Sequence, residues 1–223
     1  MFRLLLLILL LFSVSVIAQQ REMDGGACLA VEVKKGITRN LDLSVEEEVR
    51  LITNNTGFNR SMTTLGADYS LFNRRMKVGL YYCYMYVYNS DFYYESRHRV
   101  YLSLSYKQPL GNFILSWRGR LQRTYRNENK GEYKVNPKYI LKNKLELEYH
   151  ILGSRWRPFL SCDLSNTIND PIVNEIYRAR FQGGTNYRLS RATSLDLFLR
   201  FDEYFSGKDP RVFSIGVAYK VKL

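Results

Sequence analysis

The sequence predicts an all-β protein: a transmembrane antiparallel up-and-down β-barrel of 10–12 strands. Three observations predict it. Apolar and polar residues alternate at period two through nearly the whole chain, and no period near 3.6 is sustained. The alternating segments outrun the roughly 5–6 residues of soluble strands and reach the roughly 9–11 that cross a bilayer at a tilt. The face opposite the apolar one is charged, so it needs water or ion-pair partners.

The chain opens with Met1-Phe2-Arg3, an apolar run from Leu4 to Phe12, and small residues tapering to Ala18. This is the pattern of a secretory leader, residues 1–18, leaving a mature barrel domain of residues 19–223. Eleven candidate strands follow in order. Ala27–Thr38 sets Leu29, Val31 and Val33 against Glu32 and Lys34. Asn40–Thr53 sets Leu43, Val45 and Leu51 against Glu46, Glu48 and Arg50. There Glu47 falls on the apolar side, and a bulge is expected to move it off the lipid. Ser61–Phe72 sets Leu65 and Tyr69 against Thr64 and Asp68, and Met76–Tyr88 sets Leu80, Tyr82, Tyr84 and Tyr86 against Lys77 and Tyr81. Ser96–Lys107 opposes Val100 and Leu102 to Arg97 and Arg99, while Phe113–Arg126 opposes Leu115, Trp117 and Leu121 to Arg118 and Arg120.

The second half repeats the pattern. Lys138–Tyr149 sets Leu141, Leu145 and Leu147 against Lys142, Lys144, Glu146 and Glu148. Trp156–Asn166 sets Leu160 and Leu164 against Arg157 and Asp163. Glu175–Leu189 sets Tyr177, Phe181 and Tyr187 against Arg178 and Arg180. Thr193–Phe205 sets Leu197 and Leu199 against Asp196, Arg200 and Asp202, and Arg211–Leu223 sets Phe213, Ile215, Val217 and Tyr219 against Lys220 and Lys222. Bacterial single-chain barrels have even strand counts, so eleven segments leave the count at 10–12. Connections alternate short and long, as periplasmic turns and outer loops do. Tyr and Trp near strand ends, among them Tyr82, Tyr106, Tyr149, Trp156 and Tyr177, fit interfacial girdles.

The run Leu43–Leu51 (LSVEEEVRL), Arg97-His98-Arg99 opening a strand, Asn136-Pro137 ahead of Tyr139, and the Val217–Leu223 ending carry a likeness. Together they resemble a family of small Gram-negative outer-membrane barrels known only as domain of unknown function 2490. The resemblance spans nearly the whole mature chain. It implies the barrel fold and the bacterial outer membrane, and it supplies no activity. The flush C-terminal strand, alternating to Leu223, looks like the signal read by the barrel-assembly machinery.

The chain has 33 Lys+Arg against 21 Asp+Glu, a net charge of +12. The basic residues are spread over every strand of an exported chain, which argues against nucleic acid as a partner. Loop residues Arg60, Lys130 and Lys208 are candidates for contact with outer-membrane lipid and lipopolysaccharide. The candidate functional surface is the lumen, with Arg97, Arg99, Arg118, Arg120, Arg178, Arg180 and Arg200 as possible anion contacts and Glu46, Glu48, Glu146 and Glu148 as lumen carboxylates. If Lys107 pairs with Asn112, Arg99 faces Arg120, and carboxylates or a small anionic solute must neutralise them.

The reading favoured is a structural or barely conducting barrel with an Arg/Glu-rich lumen. The alternatives are a narrow anion-selective channel for small acidic solutes and an outer-membrane enzyme acting on lipid. For the enzyme, Ser96 and His98 stand two apart on one strand without an evident orienting third group, so no catalytic residue is assigned. Cys28, Cys83 and Cys162 match no zinc spacing and are expected as small fillers, so no metal or cofactor is assigned.

Overall fold

The structure is a computed structural model. It describes residues 23–52, 57–88, 94–127, 135–170, 175–205 and 210–223; the leader at 1–18, Lys130 and Lys208 lie outside them. Among these residues eleven strands form. They are β1 (Met23–Gly36), β2 (Leu41–Ile52), β3 (Gly57–Leu71), β4 (Met76–Tyr88), β5 (Tyr94–Leu110), β6 (Phe113–Arg126), β7 (Lys138–Tyr149), β8 (Trp156–Thr167), β9 (Ile176–Arg188), β10 (Thr193–Tyr204) and β11 (Arg211–Lys222). Each pairs antiparallel with the next, and β1 closes on β11 in parallel to complete the barrel. The strand ends that the two longest connections join, Arg126 to Lys138 and Thr167 to Ile176, lie on one rim; the Gly111-Asn112 turn lies on the other.

The surface is inverted relative to a water-soluble domain. Leu160 is 68% exposed and Ile215 59%, while Glu95, Arg200 and Asp202 are buried. An apolar belt of that extent requires a hydrocarbon surround. The shortest strands hold 12 residues, about 40 Å of extended chain. At a tilt near 45° they cross about 28 Å, close to the roughly 30 Å of a bilayer core.

Four local features differ from expectation, the last of them at Glu47. First, β5 runs on to Leu110 and meets Phe113 across a two-residue turn, with Gly111 at φ 61°. A positive φ at the first central position is the geometry of a tight hairpin, and glycine adopts it freely. Lys107 therefore pairs with Ser116, Arg99 with Thr124 and Arg120 with Ser103, so Arg99 does not face Arg120. Second, Arg60 is not a loop residue. β3 starts four residues earlier than expected, and the pairing skips Asn59, matching Leu51 with Phe58 and Arg50 with Arg60. Phe58 joins Tyr86 and Tyr94 outside, with ring centroids at 6.5 and 6.1 Å, and Arg60 lines the lumen. Third, the β8–β9 pairing passes from Ser165–Arg178 to Asn166–Ile176. The skipped Tyr177 leaves the expected girdle and joins the lumen wall.

At Glu47 there is no bulge, since the β2 irregularity falls between Arg50 and Leu51. The carboxylate stays in the outward row with Val45 and Val49, accepting hydrogen bonds from the hydroxyls of Ser61 (2.9 Å) and Thr63 (2.5 Å). Donated hydroxyls lower the cost of a carboxylate on an apolar surface.

Candidate functional site: the barrel lumen

Two aromatic seats shape the lumen wall. Tyr81 lies flat over Gly66 and Gly79, where any Cβ would collide with its ring. Its hydroxyl donates to Asp68, whose other oxygen takes Lys34 at 2.5 Å. Tyr101 stacks on Tyr81 at 4.6 Å, and the Arg120 guanidinium sits 4.1 Å above Tyr101. On the far wall the Phe198 ring lies over Gly216, while Gly184 takes the close approach of the Leu197 carbonyl and the Phe198 Cα and Cβ; Arg200 sits 4.9 Å from the ring. The glycines let large rings lie against the sheet instead of projecting into the bore.

Between these walls lie three cavities of about 340, 390 and 400 Å³. The middle one shares Glu46, Glu48, Arg118, Lys144 and Arg200 with the cavity toward the short-turn rim. It shares Arg50, Arg99, Lys142 and Arg180 with the cavity toward the long-loop rim. The three spaces therefore adjoin along the lumen and share walls. Its charge is graded. The short-turn cavity mixes Glu46, Glu48, Glu146, Glu148 and Asp196 with Lys107, Arg118, Lys144, Arg200 and Lys220. The described wall of the long-loop cavity carries nine basic side chains and one acidic one, Asp24.

Ion pairing follows the same gradient. Lys144 meets Glu146 at 2.6 Å, Arg157 meets Glu148 at 3.5 Å, and Lys220 meets Asp196 at 2.7 Å. Farther up, Arg50 pairs with Glu48, Arg97 grips Glu95 through two bonds of 2.9 and 3.0 Å, and Arg180 grips Asp202 at 2.5 and 2.9 Å. Among the described residues no carboxylate lies within 4 Å of Arg99, Arg120, Lys142 or Arg178. Arg99 instead donates to Thr124 (3.2 Å) and Arg178 to Ser165 (3.2 Å). Lys142 pairs across β6–β7 with Arg120, and the charges of Arg178 and Arg99 also bear on it.

All seven arginines singled out in the sequence line the cavities, but in different states. Arg97 and Arg180 are held by carboxylates. Arg200 donates to the Cys28 sulfur at 3.7 Å. Arg99, Arg118, Arg120 and Arg178 have no carboxylate partner among the described residues. Glu146 and Glu148 neutralise Lys144 and Arg157, not the arginines they were expected to serve. Sequence reasoning missed Arg60 as a lumen contributor; Gln122 falls on the inward face of its strand as the alternation places it, but nothing in the sequence singles it out. The Gly-Asn pair at 111–112 is a hairpin signature that sets the β5–β6 register, and with it the place of Gln122. Outside the barrel, Tyr82 holds His98 Nδ1 at 2.7 Å and Tyr84 bonds Ser96 at 3.0 Å. Cys28, Cys83 and Cys162 are all free thiols.

Comparison with known proteins agrees with this architecture. The family model described as "Protein of unknown function (DUF2490)" matches residues 26–212, and the chain belongs to that family. No curated protein matches the sequence. Among solved structures, the NanC porin superimposes with a TM-score of 0.55 at 13% identity, covering 89% of this chain and 99% of the porin. The β domain of the Bordetella autotransporter BrkA aligns with a TM-score of 0.40 at 14% identity, over 80% of this chain and 81% of its own. The translocator domain of the autotransporter NalP from Neisseria meningitidis aligns at 0.38 and 9% identity, over 75% and 70%. The porin likeness bears on the fold, a closed barrel of the outer-membrane type.

Proposed function

For this member of the DUF2490 family we propose a narrow anion-selective channel that passes small acidic solutes across the bacterial outer membrane. The observation that carries the reading is the row of unmatched cations, Arg99, Arg120, Lys142 and Arg178, along adjoining cavities. A lumen closed by an Arg/Glu lattice needs a carboxylate for each buried cation. The short-turn half comes close to that condition, and the long-loop half does not. An anion 4 Å from one such cation gains about 4 kcal/mol at an effective dielectric near 20. Several such contacts in sequence offset dehydration while leaving each site weak enough to release. The same reading sets the barrel among lipopolysaccharide, with β11 as the strand presented to the assembly machinery.

The test is the reversal potential of the refolded protein in a planar bilayer under a potassium chloride gradient. Anion selectivity is expected, weakened or inverted by Arg99→Glu and Lys142→Glu. A barrel that shows heat-modifiable gel mobility yet stays silent, or passes both ions equally, overturns the proposal in favour of a structural role.

A further inference from the structure

Deep in the lumen, Gln122 is 1% exposed and neither its amide nitrogen nor its amide oxygen has a hydrogen-bond partner. It lines the 400 Å³ cavity at the long-loop half, together with Arg99, Lys142 and Arg178. Arg178 is itself 8% exposed, with an Nε that finds no acceptor. Buried polar groups in folded proteins are paired with few exceptions, and each exception calls for a physical reason. Here the residue that carries the orphaned donor and acceptor lines a space wide enough for a small molecule, beside cations that lack carboxylates.

We propose that this cavity is a binding station for a small organic dianion that also carries a hydroxyl group. The proposal rests on the anion-conducting reading for how the solute arrives, and on Gln122 for what the solute must be. The cations select charge: the flat forks of Arg99 and Arg178 suit carboxylate or phosphate oxygens, and Lys142 adds a point charge between them. They do not read anything else. A bare anion accepts hydrogen bonds only. It satisfies the Gln122 NH₂ group and leaves the amide oxygen unmet. A hydroxyl both donates and accepts, so a hydroxylated acid completes the amide while its acid groups meet the cations. The cavity volume lies within the range of small-molecule sites.

The experiment is isothermal titration of the refolded protein in zwitterionic detergent with L-malate and with succinate, dianions that differ by one hydroxyl. Malate is expected to bind about tenfold more tightly than succinate, the worth of one hydrogen bond to a buried group. In Gln122→Met that ratio collapses to one. In Lys142→Gln both acids weaken and the ratio survives, because lysine supplies charge and glutamine reads the hydroxyl. Equal affinities in the unmodified protein, no binding of either acid, or a ratio that persists in Gln122→Met each overturns the proposal. Binding needs no conduction, so the two readings fail separately. A silent barrel that prefers malate loses the channel and keeps the station, and an anion-selective barrel without the preference does the reverse.

Discussion

The Tyr81 seat is open to a direct test by Gly79→Ala. A Cβ at residue 79 would stand 2.5 Å from Cε2 of Tyr81 and 2.5 Å from an oxygen of Asp68. Non-bonded carbons rest at about 3.5–4.0 Å, so the ring must retreat by at least about 1 Å. The sheet is behind it, and the open direction is the bore. Leaving the seat forfeits the hydroxyl bond to Asp68, a bond to a charged group worth about 1.5–3 kcal/mol. It also disturbs the stack on Tyr101, worth about 0.5–1.5 kcal/mol. Partial relaxation recovers some of this, and the expected loss is about 2–4 kcal/mol. Urea unfolding in lipid vesicles measures the loss, and single-channel conductance measures the narrowing. In a double-mutant cycle with Tyr81→Ala, the glycine substitution should become nearly silent once the ring is gone. A Gly79→Ala protein within about 0.5 kcal/mol of the parent, with unchanged conductance, would refute the ring-seat argument.

Other expectations follow from the same geometry. Asp202→Asn leaves Arg180 without its bidentate partner and should cost about 3–5 kcal/mol, visible as a lower temperature of the heat-modifiable mobility shift. Replacing the outward polar trio together (Glu47→Leu with Ser61→Ala and Thr63→Val) should stabilise the barrel by about 1–2 kcal/mol, read from the urea midpoint in vesicles. A loss of stability there would mean the trio serves a contact beyond lipid. A maleimide should spare Cys28 and Cys83, which are 1% and 3% exposed, until the protein is unfolded in urea; labelling of either thiol in the folded protein, measured by mass, would refute the packing of the lumen wall.

The eleven strand segments and most of their facing were legible in the sequence because period two is a local property, although the count itself stayed at 10–12. Each of the eleven segments carries its own alternation, and β4, β6 and β7 begin and end where the alternation does. Register is different, because it depends on the turn. Pro109 argues for a connection beginning at Gln108, since proline weakens a ladder. Yet it sits one pair from the hairpin end, opposite Ile114, where the ladder is closing. That shift of four in the pairing moved Arg99 from Arg120 to Thr124, while the tie between Arg120 and Lys142 belongs to the separate β6–β7 register. The bulges at Asn59 and Tyr177 were equally invisible. Each arises from how two strands meet, and each delivers a side chain, Arg60 or Tyr177, to the long-loop cavity. The candidate site was therefore legible as a charged face but not as a set of partners. Partnership in a barrel is a cross-strand property, fixed by registers that no single segment contains.

The odd strand count follows from the same geometry. Direction alternates along an up-and-down barrel, so with eleven strands the first and last run the same way, and closure has to be parallel. Parallel pairing is slightly weaker per residue, but here it is long, running from Met23–Arg211 to Lys34–Lys222. The amide of Leu223 extends it by donating to the Lys34 carbonyl at 2.8 Å. Parallel neighbours keep the same facing as antiparallel ones, so the seam preserves the apolar exterior: Leu29 stands beside Val217 and Val31 beside Tyr219. Inside, Glu32 stands beside Lys220 and Cys28 beside Gly216, whose missing side chain makes room for Phe198. The seam thus supplies part of a ring seat and part of the mixed-charge wall. Glu32 and Lys220 share one stretch of the lumen wall because β1 and β11 meet in this register. A slip of one residue there would turn Glu32 toward lipid and Val31 toward the bore.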